Sequence, residues 1–545
     1  MDSVYDRVLL EVGNEGKFQR QFDLSYNILF ASLWTMAYNN ILLALTVTPH
    51  TCKLPVKPEN ISDYSWKVQH IPMLENGAGI EKFSDCLINI SPKNNKTIDS
   101  CELFDYDKTW FETTVASDNN WVCDNEIKVT NILAYSRMGE IVGSLFFGWY
   151  GDVYGRKLTY IISLVMLVFG RFLSVLSSSS YTLFAIGCVI ASFPSWSATQ
   201  SASVISLEIS SPQRRATVAK LRLIATSFGM CMLPFFFWWL RNWKSFLIIT
   251  TISQIPYLLL SGKLIESPQW LWINGKSTAA LQCLKRIAKT NKSTLNSDTE
   301  SEMLTTSVVK NIQFKILGPL ALFSHWRIAL YTILQCSLWV SSSANYTVTL
   351  MSSGEKVDGN PFLDFAWQAL AEIPGYFIAA WLADRIGRRY TGIASFSVTT
   401  VIWIITGYRK IYDASWVNNE WMTTMLAVTN RSSITVSYYI INLFNMELYP
   451  TCLRQSGMSL GNVASGGGTT LAHYILYLGR RVDVRFPSLL LIVSTLFCGI
   501  VATFFLPETL NAKLPETLED AKNFGTQKLT RVPSRKITEE IESTL

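Results

Sequence analysis

Long apolar windows, each close to the length of a bilayer-crossing helix, recur along this chain between polar interruptions. About twenty apolar residues carry a helix across the hydrocarbon core, so the pattern predicts twelve spans. The first six fall at 24–47, 129–150, 158–177, 181–207, 216–239 and 244–262. The second six fall at 326–350, 362–382, 390–407, 421–446, 455–478 and 487–506. Two long polar segments break the series, at 48–128 and 263–325. The chain is therefore read as an all-α polytopic membrane protein with a short amino-terminal segment, 1–23, before a first six-helix bundle, 24–262. Linker helices over 263–325, a second bundle over 326–506 and a tail over 507–545 complete it.

Composition agrees: 49% of the 545 residues are apolar and 16% are charged, against about a quarter charged in soluble proteins. The net charge of +6 comes without a basic, aromatic-interleaved face, so no nucleic-acid partner is expected. The first twenty residues lack the apolar core of a cleavable signal, and the first span is expected to direct insertion. "GKS" at Gly275 to Ser277 mimics a phosphate-binding loop, but Trp270 stands where that loop needs a glycine. No nucleotide, cofactor or metal is expected, and no enzyme: His50, His70, His325 and His473 are widely separated, and no nucleophile elbow occurs.

Basic residues in short loops set orientation. An inside amino terminus places Arg156, Lys157, Arg214, Arg215, Arg385, Arg388, Arg389 and Arg454 in the cytoplasm. Arg241, Lys244, Arg480, Arg481 and Arg485 count the other way, and the inner tally is larger. The segment 48–128 then lies outside. It carries Cys52, Cys86, Cys101 and Cys123, which suit two disulfides with three possible pairings, and acceptor sequons at Asn60, Asn89 and Asn95.

The two halves repeat a set of charges. Asp152-x-x-Gly155-Arg156-Lys157 is answered by Asp384-x-x-Gly387-Arg388-Arg389; Glu208 with Arg215 by Glu447 with Arg454; and Glu266 by Glu508. Such residues at helix ends can pair across to the neighbouring bundle, and the expectation is a cytoplasmic gate that breaks when the site opens inward. Rocking of two repeats about a midplane site is the general logic of secondary transport.

"GWYGDVYGRK", "ADRIGRR", "ESPQWL", "MELYPTCLRQSGM" and "LPETLNAKLPETLEDA" resemble signatures of the major facilitator superfamily. More narrowly, they are similar to its organic cation, organic anion and carnitine transporter family, over nearly the whole chain. The resemblance implies a major facilitator fold with two pseudo-symmetric six-helix bundles, residence in the plasma membrane with both termini cytoplasmic, and alternating access for a small organic ion.

Ionisable residues inside spans are functional candidates by default. Arg137 and Glu140 share one face of the second span, Glu372 lies in the eighth and Arg431 opens the tenth, where it can partner Glu372. His473 is read as a hydrogen-bonded packing residue. Aromatic faces attract organic cations, and the resemblance places Trp196, Trp339, Tyr346 and Tyr439 along the pocket. Position 466 departs from the family, whose cation carriers place an Asp there and whose anion and carnitine carriers an Arg. Gly466 instead allows close helix approach or leaves room for a bulkier ligand. Gln269 replaces a usual Arg at the gate. Glu140 and Glu372 favour cations or zwitterions as substrate; an anion carrier, resting on Arg137, Arg222 and Arg431, and a non-transporting ligand sensor, resting on the charge lost at 466, are the alternatives.

Overall fold

The computed structural model describes residues 4–13, 16–58, 62–75, 81–89, 98–210, 212–305, 322–352, 360–412, 420–449, 451–510 and 515. Asn60, Asn95 and the tail beyond 515 lie outside the described residues, as do the side chains of Arg215 and Arg454.

Among the described residues, twelve long helical segments form two six-helix bundles. In the first bundle, spans 1 to 6 are 17–44, Ile127–Tyr154, Arg156–Leu176, Tyr181–Glu208, Pro212–Leu240 and Trp243–Lys263. In the second, spans 7 to 12 are Trp326–Ser352, Pro361–Ile386, Arg388–Tyr412, Glu420–Glu447, Thr451–Arg481 and Phe486–Phe505. Stretches within spans 3, 4, 5, 6, 9 and 12 are long and apolar enough to cross a membrane on composition alone. Spans 1, 2, 7, 8, 10 and 11 carry more polar residues, and most of the central ionisable side chains described below come from these.

Small residues set the helix spacing. A Cβ on Gly170 of span 3 would stand 2.7 Å from the carbonyl oxygen of Gly187 on span 4, and one on Gly229 of span 5 only 2.4 Å from that of Ser32 on span 1. Span 11 approaches span 7 in the same way, with Gly468 against the Val340 carbonyl. Without hydrophobic drive inside lipid, such backbone contact is what holds helices together.

The segment between spans 1 and 2 folds at one end of the bundles, here the loop face. Three antiparallel strand pairs organise it: His50–Cys52 with Phe104–Tyr106, Met73–Glu75 with Glu81–Phe83, and Leu87–Asn89 with Ile98–Ser100. The disulfides join Cys52 to Cys101 and Cys86 to Cys123, selecting one of the three pairings the sequence left open. Asn89 is corrected here as a glycan acceptor: it is buried, and its amide nitrogen donates to the Gln69 carbonyl at 3.3 Å. Arg241, in the turn after span 5, anchors the loop by donating to the Lys108 and Thr109 carbonyls at 2.6 and 2.9 Å.

At the opposite end, the linker face, the segment after span 6 forms helices Pro268–Ile273, Ser277–Asn291 and Ser297–Thr305. The amino terminus is more than a leader into span 1. Val4–Val12 is a helix whose Tyr5, Val8, Leu9 and Val12 are buried in one core with Leu281, Leu284 and Ile287 of the linker. Asn291 fastens it: its side chain donates to the Val12 carbonyl at 3.0 Å and accepts from the Phe18 amide at 2.9 Å.

Candidate substrate site

Two carboxylate–arginine pairs occupy the centre, one on each bundle. On the first, Arg137 donates to Glu140 at 2.6 Å, one helical turn apart on span 2. Span 4 bends beside them. Its helix is interrupted between Ser192 and Ser197 at Pro194, and Ser195 takes a left-handed φ of +50°. The break, of the kind proline causes, aims the Ser195 hydroxyl at Glu140, 3.4 Å away, and lays Trp196 against Tyr38 of span 1 with ring centroids 5.1 Å apart.

On the second bundle Arg431 is fully buried and pairs with Glu372 at 2.5 Å. The same carboxylate accepts from the Tyr346 hydroxyl at 3.0 Å and from Ser227 of span 5 at 3.0 Å, so the cluster joins spans 7, 8 and 10 to the first bundle. The Arg431 guanidinium also lies 3.3 Å from the centroid of the Tyr346 ring. A buried pair with its remaining polar atoms hydrogen-bonded is tolerated where a lone charge is not. The Tyr438 ring meets Trp339 and Tyr346, each at 5.7 Å, and both Arg431 and Arg137 lie within its electrostatic reach.

Most of the residues singled out from the sequence therefore converge: Glu140, Trp196, Trp339, Tyr346, Glu372 and Arg431. Tyr439 does not. Its electrostatic neighbours are Asp384, Arg388 and Glu447 at the linker face, and Tyr438, one residue and about 100° away on the helix, faces the centre instead. Gly466 is a packing position, since a Cβ there would stand 2.3 Å from Ile141 of span 2. His473 uses Nδ1 on the Thr469 carbonyl at 2.8 Å, as a packing residue should.

At the linker face the repeated charges build two matching clusters. Gly155 and Gly387 have φ of +107° and +96°, and a Cβ on either would come within 2.5 Å of a carboxylate, that of Glu266 or of Glu508. Each carboxylate sits on a helix N-terminus, where free amides favour an anion. Glu266 accepts from the Arg156 and Lys157 amides at 3.0 and 3.1 Å, and Glu508 from the Arg388 and Arg389 amides at 2.9 and 3.0 Å. Arg156 then pairs with Asp152 at 3.0 Å and Glu208 at 3.8 Å; Arg388 pairs with Asp384 and Glu447, both at 3.3 Å. Ser267 donates to Glu208 as Thr509 donates to Glu447. The expectation that these charges pair across to the other bundle is corrected: the described pairs close within one bundle each.

A sequence profile of the sugar (and other) transporter family matches residues 88–521. The chain belongs to this family. The transporter is 26% identical to the human organic cation/carnitine transporter 2, across 97% of its own length and 96% of that protein's. It is also 26% identical to the Drosophila melanogaster beta-alanine transporter, across 95% of this chain and 89% of that one. The xylose transporter XylE from E. coli, in a partially occluded inward-open conformation, superposes with a TM-score of 0.56 at 13% identity, over 90% of this chain and 99% of that one. That likeness establishes the major facilitator fold. The family is one of membrane transporters, so this multi-pass protein carries a small-molecule substrate across a bilayer.

The transporter's bundles are bonded to each other from the centre towards the loop face. Ser227 reaches Glu372 at the centre; further out, Tyr474 donates to Asn131 at 3.0 Å. At the rim, Arg480 meets Glu126 at 2.8 Å and Arg481 meets Asp124 at 3.1 Å. Phe362 of span 8 packs on Phe111 and Phe237 at 4.9 and 6.0 Å. Sequence reasoning counted Arg480 and Arg481 only as loop charges. It also missed the buried Asp23, which pairs with Arg214 at 2.5 Å and accepts from Asn27 at 2.8 Å, although an Asp opening an apolar run was a visible signal.

Proposed function

We propose that the transporter is a plasma-membrane secondary carrier of small organic cations and zwitterions that works by alternating access. In this reading the loop face, with its two disulfides, is extracellular, and the linker face and both termini are cytoplasmic. The observation that carries it is the central pair of carboxylates, Glu140 and Glu372, held among Tyr38, Trp196, Tyr346 and Tyr438 where the two bundles meet. Aromatic faces attract desolvated ammonium groups, and each carboxylate already has an arginine that an incoming cation can displace. Two relatives, an organic cation/carnitine transporter and a beta-alanine transporter, agree by name with an amine-bearing substrate.

Displacement also supplies the coupling. A cation that takes Glu372 from Arg431 loosens the Glu372–Ser227 contact between the bundles, and a ligand shifts a conformational equilibrium only through such differential contacts. The linker-face clusters then act as rigid corners, each holding its own bundle's helix ends together while the bundles rock. Glu140, Trp196, Trp339, Tyr346, Glu372 and Arg431 are assigned to the substrate chamber. Asp152, Arg156, Glu208, Glu266, Asp384, Arg388, Glu447 and Glu508 are assigned to those corners.

The test is tracer uptake of radiolabelled choline and carnitine into cells displaying the full chain, beside Glu372→Gln at matched surface amounts. Saturable uptake that the variant loses supports the reading. Absence of saturable uptake or exchange of either probe by the wild-type chain refutes it.

A further inference from the structure

Around the centre the described spans bring four arginines, Arg137, Arg171, Arg222 and Arg431, against two carboxylates, Glu140 and Glu372. Arg137 and Arg431 are paired. Arg171 is sealed inside the first bundle, where it donates to the Tyr38 carbonyl at 3.3 Å and is 1% exposed. Arg222 of span 5 is different. It is partly exposed, and Tyr376 of span 8 is its electrostatic neighbour; no carboxylate among the described residues is paired with it.

Helix geometry places Arg222 towards the chamber. Ala225 and Gly229, on nearly the same face of span 5, pack on span 1 through Ser32. Ser227 reaches Glu372 on span 8, while Ile224 and Phe228 are exposed on the opposite side. Arg222 therefore projects between spans 1 and 8, just to the linker-face side of the Glu372–Arg431 pair. Tyr376, one turn beyond Glu372, has Glu372, Arg431 and Arg222 all within electrostatic reach. An unpaired arginine inside a span is costly, and its planar fork suits a carboxylate held by two parallel hydrogen bonds.

We propose that Arg222 is the carboxylate-binding residue of the substrate site, so that the preferred substrate is a small zwitterion whose carboxylate meets Arg222 and whose ammonium lies among the central tyrosines. This rests on the function proposed above and deepens it. It also accounts for the absence of charge at Gly466: that position is closed against Ile141, and the cation for a carboxylate is supplied from span 5.

Carnitine and choline share a trimethylammonium group, and only carnitine carries a carboxylate, so the pair isolates this contact. Initial uptake of each, below saturation, is measured for the full chain, Arg222→Gln and Arg222→Lys, normalised to surface amount. Arg222→Gln is expected to lower carnitine uptake roughly tenfold to a hundredfold, the range for losing a hydrogen bond to a charged group, and to leave choline uptake within about twofold. Arg222→Lys keeps the charge and loses less. In detergent, carnitine raises the thermal midpoint of the wild type and not of Arg222→Gln, a binding readout independent of flux; removing an unpaired charge also lets that variant fold. A carnitine-to-choline ratio unchanged by Arg222→Gln overturns the proposal while leaving the carrier function standing. A wild type that moves neither probe overturns both.

Discussion

The ion pairs at the loop-face rim are a latch whose strength can be worked out. Asp124 is 88% exposed, so its bond with Arg481 contributes no more than ~1 kcal/mol. Glu126 is 8% exposed and faces Arg480 at 2.8 Å and Arg481 at 4.0 Å, a tighter and drier site. Removing its charge is expected to cost the closed state about 1–2 kcal/mol, above the exposed-pair range because water screens it less. Glu126→Lys also sets a third cation beside two arginines, which brings the loss to roughly 2–3 kcal/mol. Because 1.4 kcal/mol is about tenfold in a conformational equilibrium, the open fraction at this face should rise on the order of thirtyfold to a hundredfold. Asn131, bonded to Tyr474 within the seam, is the reporter position. A cysteine placed there is partly covered while the seam is closed and reacts faster with a membrane-impermeant maleimide when it parts. Labelling should accelerate by up to that factor in Glu126→Lys, and return towards the parent rate when Arg480→Glu is added. Labelling no faster than the parent would show that the pairs do not hold this face shut.

Three further outcomes follow from the same geometry. Arg431→Leu strands Glu372 without its partner and is expected to cost about 3–5 kcal/mol, seen as loss of surface protein, with partial recovery when Glu372→Gln is added; equal surface amounts for single and double variants would contradict the pairing. Gly155→Ala and Gly387→Ala force a Cβ towards Glu266 or Glu508 at a backbone conformation costing roughly 1–3 kcal/mol, and each should lower the thermal midpoint, whereas the same change at Gly148, with nothing within 4 Å, should not. Gly466→Asp should depress uptake of cations and zwitterions alike, because it meets Ile141 rather than substrate, and Ile141→Ala should restore it; a switch in charge selectivity would return position 466 to the pocket.

The architecture was legible because twelve apolar runs leave a bilayer-length signature that needs no tertiary knowledge. The clusters at Gly155 and Gly387 were legible for another reason: the same charges recur in both halves at nearly constant spacing. Their direction was not, because a sequence does not say whether Arg156 turns to its own bundle or to the other. Tyr439 was placed in the pocket by the family resemblance, which does not say which of two neighbouring tyrosines faces inward, and one residue rotates a side chain about 100°. The Val4–Val12 helix has apolar residues at 5, 8, 9 and 12, a visible helical stripe that its scattered charges obscured. Arg480 and Arg481 looked like errant loop charges because their partners lie about 355 residues away in the chain.

Alternation itself is tested most directly by paired spin labels on the two faces of one transporter preparation. Asn125 with Val482 reports the loop-face rim, and Tyr154 with Ile386 the linker face; all four are exposed. On cycling with carnitine, the account predicts that the first distance lengthens in the same population in which the second shortens. Uptake that proceeds while both distances stay fixed, or while both change in the same sense, would contradict it.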